Sequence, residues 1–361
     1  MVQHRKFLLP RYARHSTRMF RAVIALLFGV LLSACDRKLP YQQFEGNVAT
    51  AHYRVNAQLP KHIDVAALQV ALEQRIEQIN QTLSLSLPLS EVNQFNALAP
   101  QQSLSVSVDF IQLLTLSRKI NQQSAGAFDP TIAALVELWG FAAQTSFDHH
   151  SRKVPAALAI KQAQANKGLQ WVQQQQQRVS RTAPVNLDFY ALADGFAADS
   201  LAAVLQANGV RNYLVEFAGE ITAHGVSARG TPWRIAIEAP EELQGKNFTA
   251  VLLHSPKGGT VGLATSGDYR NFYEVDGVRY SHIIDPVTGY PIKHRLTSVT
   301  VIADTGAVAD GWATALMVLG EDAGFKLAQQ QHLAAYMIYH DGKQLAFKYT
   351  DAMRSYLDAG R

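Results

Sequence analysis

The sequence predicts an α+β protein in which layers of antiparallel sheet carry helices, arranged as two intimate subdomains. Three observations lead there. Nearly half of the 361 residues are hydrophobic, 48%, and turn residues are spread throughout, enough for one large or two intimate domains with a real core. Asn47 to Ala57 reads as a strand, and Val65 to Ser84 reads as an amphipathic helix with Val65, Leu68, Leu72 and Ile76 on one stripe. Alternation and short connections between such segments favour antiparallel sheet with helices on one face. No internal repeat stands out.

The N-terminus reads as an address. Arg5, Lys6, Arg11, Arg14, Arg18 and Arg21 precede an apolar run from Ala22 to Leu32, too short to span a bilayer but of signal-peptide length. It ends in Leu32-Ser33-Ala34-Cys35, which resembles a bacterial lipobox and implies a mature chain of about 327 residues starting at a lipidated Cys35. Met19 offers an alternative start. Cys35 is the single cysteine, so no intramolecular disulfide can form. Asp36 resembles the signal that retains lipoproteins in the inner membrane, facing the periplasm. Without the six basic residues the mature chain holds 27 Lys+Arg against 29 Asp+Glu, so the basic precursor gives no argument for nucleic acid. The expected organisation is a signal over 1–34, a lipidated cysteine and tether over 35–46, with Pro40 to Gly46 as linker, and one catalytic domain over 47–361.

Further along, Ser90-Glu91-Val92 reads as a helix N-cap. Asp129-Pro130-Thr131 reads as a helix start, followed by Leu138 and Trp139 as core. Gln173 to Gln177 suggests a hairpin strand and turn. Val185 to Leu201 reads as a strand, a tight turn and a helix, whose free N–H groups suit a pyrophosphate. Tyr213 to Gly225 is a strand that stops at Ala218-Gly219-Glu220, where a glycine bulge explains the residues as well as a ligand does. From Leu263 to Pro291 come a strand end, a polar turn at Ser266-Gly267-Asp268, a hairpin at Asp276-Gly277, and a loop with His282 and Asp285. A histidine and a carboxylate three apart form a candidate acid/base pair, although Asp285-Pro286 and Thr288-Gly289 are also ordinary turn chemistry. Asp310 and Thr314, spaced i and i+4 on a helix, offer two hard oxygen donors suited to Mg²⁺; a solvated helix start gives the same pattern.

The order of these segments resembles the ApbE family, the FAD:protein FMN transferases. Thr265 to Phe272 (TSGDYRNF) and Ser281 to Pro291 (SHIIDPVTGYP) match its hallmark, and Gly126, Asp129, Leu138, Trp139, Gly140 and Phe141 match a second motif. Asp188, Gly195, Phe196, Ala197 and Asp199 match a third, Gly219 and Glu220 a fourth, and Asp310 to Leu316 a fifth. Three positions depart from the pattern: Ser86 stands where a flavin-contacting tyrosine is usual, Tyr190 where a small residue is usual, and Asp194 where Lys or Glu is usual.

The resemblance implies a T-fold-like α+β architecture and FAD as substrate. It implies a flavin-binding set of Thr50, Asp129, Asp188, Gly195, Gly219, Glu220, Thr265, Ser266, Gly267, Asp268 and Tyr269, with Asp129 in the pocket wall. Mg²⁺ is expected on Asp310, Thr314 and a backbone carbonyl near Ala191, with His282, helped by Asp285, as base. The expected reaction joins FMN through a phosphoester to a Thr or Ser of a partner protein and releases AMP. Implied partners are periplasm-facing flavoprotein subunits of the sodium-pumping NADH:quinone oxidoreductase or Rnf type. Two alternatives use the same residues: an Mg²⁺-dependent FAD pyrophosphatase, and a lipoprotein that binds FAD without turnover.

Overall fold

The computed structural model describes residues 40–48, 51–142, 153–238, 247–255, 258–268 and 271–357. In chain order it contains β1 (Gln42–Val48), β2 (Ala51–Gln58), α1 (Val65–Leu83), α2 (Glu91–Asn96), β3 (Ser103–Ser105), α3 (Val108–Gln123), α4 (Ala133–Leu138) and α5 (Ala157–Ala165). There follow β4 (Val172–Gln175), β5 (Arg178–Arg181), α6 (Tyr190–Ala207), β6 (Asn212–Phe217), β7 (Glu220–His224), β8 (Trp233–Glu238) and β9 (Asn247–Leu253). The chain continues through β10 (Val261–Gly267), β11 (Phe272–Val275), β12 (Val278–Ser281), β13 (Leu296–Ala303), α7 (Gly306–Gln330), β14 (Ala334–Asp341) and β15 (Gln344–Tyr349). None of the described helices is long and apolar enough to cross a membrane.

An eight-stranded sheet in the order β1-β2-β6-β7-β10-β13-β14-β15 forms the centre, and every pairing in it is antiparallel. Side chains alternate between its two faces. Val55, Val215, Val299, Val301 and Met337 join the core under α1, α3, α6 and α7, while Leu214, Leu263, Ile302, Tyr336 and Ile338 point the other way. Helices therefore cover one face, as expected, and the β8–β9 hairpin and Met353 cover the other. A satellite cluster of Leu135, Trp139, Ile160, Tyr273 and Ile284 joins α4, α5 and the β11–β12 hairpin. Pro40–Arg361 forms one compact unit.

Local chemistry explains the boundaries. Asp64 caps α1 by accepting from the N–H groups of Ala66 and Ala67 at 3.0 and 3.1 Å, and Ser90 caps α2 through Asn93 N–H. The buried stripe of α1 is Leu68, Leu72, Ile76 and Ile79; Val65, in the first turn, remains exposed. Asn47 to Ala57, expected as one strand, falls on two paired strands, β1 and β2. Gln42–Gly46, expected in the tether, belongs to β1 and pairs with β2. Because β1 lies at the sheet edge, its outward residues are polar and give little burial signal. The segment from Val185 to Phe189, where a strand was expected, belongs to no strand or helix. The Asn96 side chain replaces a neighbouring strand there, donating to Leu187 O at 2.9 Å and accepting from Leu187 N–H at 2.7 Å. The glutamine hairpin turns at Gln176, with φ 55°, and the Asp276-Gly277 turn joins β11 to β12 with both φ values positive, as a two-residue hairpin requires.

The two helices that matter most, α6 and α7, meet backbone to backbone. A Cβ on Gly195 would lie 2.4 Å from Gly306 O, and one on Gly306 would lie 2.7 Å from Gly195 O. Both obstacles are main chain, which cannot swing aside. Gly195→Ala should therefore destabilise the protein by about 2–3 kcal/mol, read as a lower urea midpoint; an unchanged midpoint would show that the helices can separate without cost.

Candidate active site

The candidate site is built at this crossing. Asp199, on α6, accepts from Gly306 N–H at 2.7 Å, Ala307 N–H at 2.9 Å and the Thr222 hydroxyl at 2.6 Å, and so closes the free start of α7. Thr305 completes the cap by accepting from Val308 N–H. Four residues into α7, the buried Asp310 carboxylate turns back and accepts from Gly195 N–H, Oδ2 to N 3.2 Å. One turn further, Thr314 Oγ1 lies 3.4 Å from Ser266 Oγ near the end of β10. Asp310, Thr314, Gly195 and Ser266 thus come from α6, α7 and β10 to one place. Ser266 and Gly267 are the last residues of β10 and not a free turn.

The electrostatics are one-sided. Burial holds the Asp310 carboxyl well above the usual carboxylate range; the charges of Asp194 and Asp199 raise it further, and the Gly195 bond opposes them. Asp194 is pushed up to about 6 by burial. Burial also raises Asp199, against bonds from Ala307, Thr222, Gly306 and Thr305, and Asp188, against its bond from Tyr190 N–H at 2.8 Å. The charges acting on Asp310 are negative, and its neighbours Thr314 and Ser266 are hydroxyls. Among the described residues no positive charge acts on Asp310 in this hard-oxygen donor set, which fits a divalent cation such as Mg²⁺. Among the described residues no group of three or more His, Cys, Asp or Glu side chains could hold a metal, so such a site rests on one carboxylate with hydroxyl and carbonyl oxygens. Ala191 lies in the first turn of α6, one turn before Gly195.

Around the cluster, Thr265 Oγ1 pairs with Thr300 Oγ1 at 2.8 Å, and Thr265 N–H donates to Glu220 Oε2 at 3.3 Å. Glu220 opens β7 directly after the Ala218-Gly219 turn, where φ values of 53° and 105° make a hairpin in place of the bulge considered from sequence. The Asp268 carboxyl is raised by burial, an effect opposed by Arg279 and His294. Arg279 stacks over Phe272 at 3.9 Å and donates to Asp268 O at 2.6 Å, fastening the β11–β12 hairpin to the end of β10.

His282 follows β12. Its N–H donates to Asn271 O at 3.0 Å, and its Nδ1 lies 2.9 Å from the same oxygen. A carbonyl only accepts, so Nδ1 carries the proton and Nε2 keeps its lone pair. Burial lowers the His282 pKa and so favours the neutral ring, an effect opposed by the Asn271 bond. Asp285 is held elsewhere: its carboxylate accepts from Val287 N–H at 2.8 Å and its own carbonyl from Gly289 N–H at 2.8 Å. The partner that orients His282 is thus a backbone carbonyl, which no sequence motif announces. Trp139 Nε1 donates to Gly289 O at 2.8 Å and fixes the same loop from α4. Asp129 is engaged in its own turn with Thr131 N–H and Oγ1 and lies 3.9 Å from Lys167 Nζ; Asp188 N–H donates to Pro130 O beside it. Helix α4 begins at Ala133, a turn later than Asp129-Pro130 suggested. Cys35, Thr50 and Tyr269 lie outside the described residues.

A family model described as the ApbE family matches residues 49–337. The chain belongs to the ApbE family. An FAD:protein FMN transferase of Vibrio cholerae is 34% identical over 318 residues, covering 88% of this chain and 92% of the relative. One of Klebsiella pneumoniae is 34% identical over 340 residues, covering 91% and 95%. Among solved structures, the apo flavinyl transferase ApbE of Pseudomonas stutzeri matches with TM-score 0.80 at 35% identity, covering 89% of this chain and 98% of that one. The flavin transferase ApbE of Vibrio cholerae matches with TM-score 0.79 at 33% identity, covering 88% and 100%. The α+β fold expected from sequence is therefore that of ApbE flavin transferases.

Within this ApbE-family chain, Asp194 stands where the resemblance implies Lys or Glu, and its consequence is measurable. Its folded pKa of about 6 lies above the unfolded value of about 3.9, so the folded state binds the extra proton and stability falls as pH rises between them. At pH 7.5 without divalent cation, Asp194→Asn should be about 1–3 kcal/mol more stable than the parent. The difference should vanish by pH 4; denaturant melts at both pH values check this.

Proposed function

We propose that this chain is an Mg²⁺-dependent FAD:protein FMN transferase, attaching FMN through a phosphoester to a Thr or Ser of a partner protein and releasing AMP. The name shared by its relatives supports the transferase. The observation that carries the reading is the buried Asp310 carboxylate facing Gly195 N–H, raised by the charges of Asp194 and Asp199, with the Thr314 and Ser266 hydroxyls beside it.

Asp310, Thr314 and the carbonyl of Ala191 would hold Mg²⁺. When bound, the ion supplies charge neutralisation at the FAD pyrophosphate. The protein's own groups do the rest. Ser266 orients the Thr314 hydroxyl, and Thr265, Gly267 and Asp268 line the end of β10 as ligand-holding residues, with Glu220 fixing Thr265. Asp188, just before α6, accepts from the helix's first N–H at Tyr190, and Gly195, in its second turn, donates to Asp310. The acceptor hydroxyl oxygen forms its bond to the FMN phosphorus as its proton passes to His282 Nε2. The bond from that phosphorus to the bridging oxygen breaks, and the oxygen leaves with AMP. Asp285 shapes the loop that presents His282.

The N-terminal pattern supports the location: a basic segment, a short apolar run and Leu32-Ser33-Ala34-Cys35. We place the enzyme at the inner membrane, anchored through lipid on Cys35 and facing the periplasm. Acceptors there are flavoprotein subunits of the sodium-pumping NADH:quinone oxidoreductase or Rnf type.

The test mixes the full chain with FAD, Mg²⁺ and such an acceptor subunit, reading intact acceptor mass and AMP together. One FMN gained per AMP formed is expected; free FMN with unmodified acceptor would instead favour a pyrophosphatase. Asp310→Ala should abolish Mg²⁺-dependent turnover, and retained activity would remove Asp310 from the site. His282→Gln should still bind FAD but transfer FMN about 10²–10⁴ times more slowly. Because the lowered pKa keeps His282 neutral into mild acid, the acidic limb of the parent's pH–rate profile should fall below 6.5, and a limb above that value would assign the base elsewhere.

A further inference from the structure

Among the described residues Tyr190 is one of the most exposed large hydrophobic side chains, 68% accessible. It opens α6, the helix whose Gly195 N–H meets Asp310. The backbone there is fixed, because Asp188 Oδ1 accepts Tyr190 N–H at 2.8 Å and Asp188 N–H is in turn tied to Pro130 O at 2.7 Å. Tyr190 and Asp194 are spaced i and i+4 and share one face of the helix. The phenol lies within electrostatic reach of Asp194, Asp188 and Asp310. A rigidly held helix start therefore presents an aromatic ring to solvent at the rim of the oxygen cluster.

Exposing an aromatic ring forgoes its burial energy. FAD carries two planar rings flanking a pyrophosphate. A pyrophosphate held beside Asp310 and the start of α6 brings one of those rings past the rim where Tyr190 stands. We propose that Tyr190 is a wall of the FAD site whose ring stacks on a planar ring of the dinucleotide. This rests on the FAD-dependent reading above and adds a residue to the ligand-holding set of the β10 end.

The test is a binding measurement that needs no acceptor and no turnover. FAD is titrated into the full chain with Mg²⁺, following flavin fluorescence, for the parent, Tyr190→Phe and Tyr190→Ser. Stacking predicts that Phe keeps the parent Kd within about twofold. Ser should weaken it on the order of tenfold, about 1.4 kcal/mol, in the range of a base on an aromatic ring. FMN and ADP then serve as separate probes: a loss confined to FMN assigns the isoalloxazine ring, and one confined to ADP assigns adenine. Equal losses for both, a Ser variant that binds like the parent, or a Phe variant as weak as Ser would each overturn the proposal. Absence of FAD binding by the parent itself would instead overturn the flavin-transferase reading, so the two failures are distinguishable.

Discussion

The structure depends on a backbone contact between two helices. Gly195 and Gly306 let α6 and α7 approach until main chain touches main chain, and that closeness brings the Gly195 N–H of one helix to the Asp310 carboxylate of the other. Asp199 makes the contact possible by accepting from the first N–H groups of α7, which would otherwise be left without partners in a buried place. One polar contact then brings several acids together. Asp194 and Asp199 add to the charging cost that burial puts on Asp310, and the hydroxyls of Thr314 and Ser266 offer only further oxygen. A protein that needed only stability would gain from apolar residues there. The electrostatic cost is understandable if the cluster is completed by a cation.

The second functional element is held by different means. The β11–β12 hairpin lies outside the main sheet and packs through Tyr273 onto the satellite cluster of Trp139, Leu135 and Ile160. Arg279 fastens it to the carbonyl of Asp268, and Trp139 fastens the following loop through Gly289 O. Between these two anchors His282 is held in one tautomer by the Asn271 carbonyl. Trp139, buried as the sequence led us to expect, therefore helps position the loop that carries His282.

Much of this was legible in the sequence because it follows local rules. The Asp276-Gly277 turn, the Ser90 cap, the amphipathic stripe of α1 and the i, i+4 pairing of Asp310 and Thr314 all depend on neighbours within a few residues. What was not legible depends on residues distant in the chain. The missing strand after Val185 is replaced by a side chain almost a hundred positions earlier, Asn96. Edge strand β1 lacks the burial alternation that would have set it apart from a tether. The partner of His282 is a backbone oxygen, so sequence offered Asp285 in its place, and Asp285 proves to serve its own turn. The hairpin at Ala218-Gly219 hid the role of Glu220, whose carboxylate reaches across to Thr265 N–H.

The central claim is that the oxygen cluster at the α6–α7 crossing is a cation site. Anomalous diffraction from crystals of the protein grown with FAD and Mn²⁺ in place of Mg²⁺ addresses it most directly. A peak bounded by Asp310 and Thr314, absent from crystals of Asp310→Ala, is the predicted result. With FAD bound, an empty cluster, or a peak only at sites remote from Asp310, would contradict the account and leave the buried acids of this crossing without their explanation.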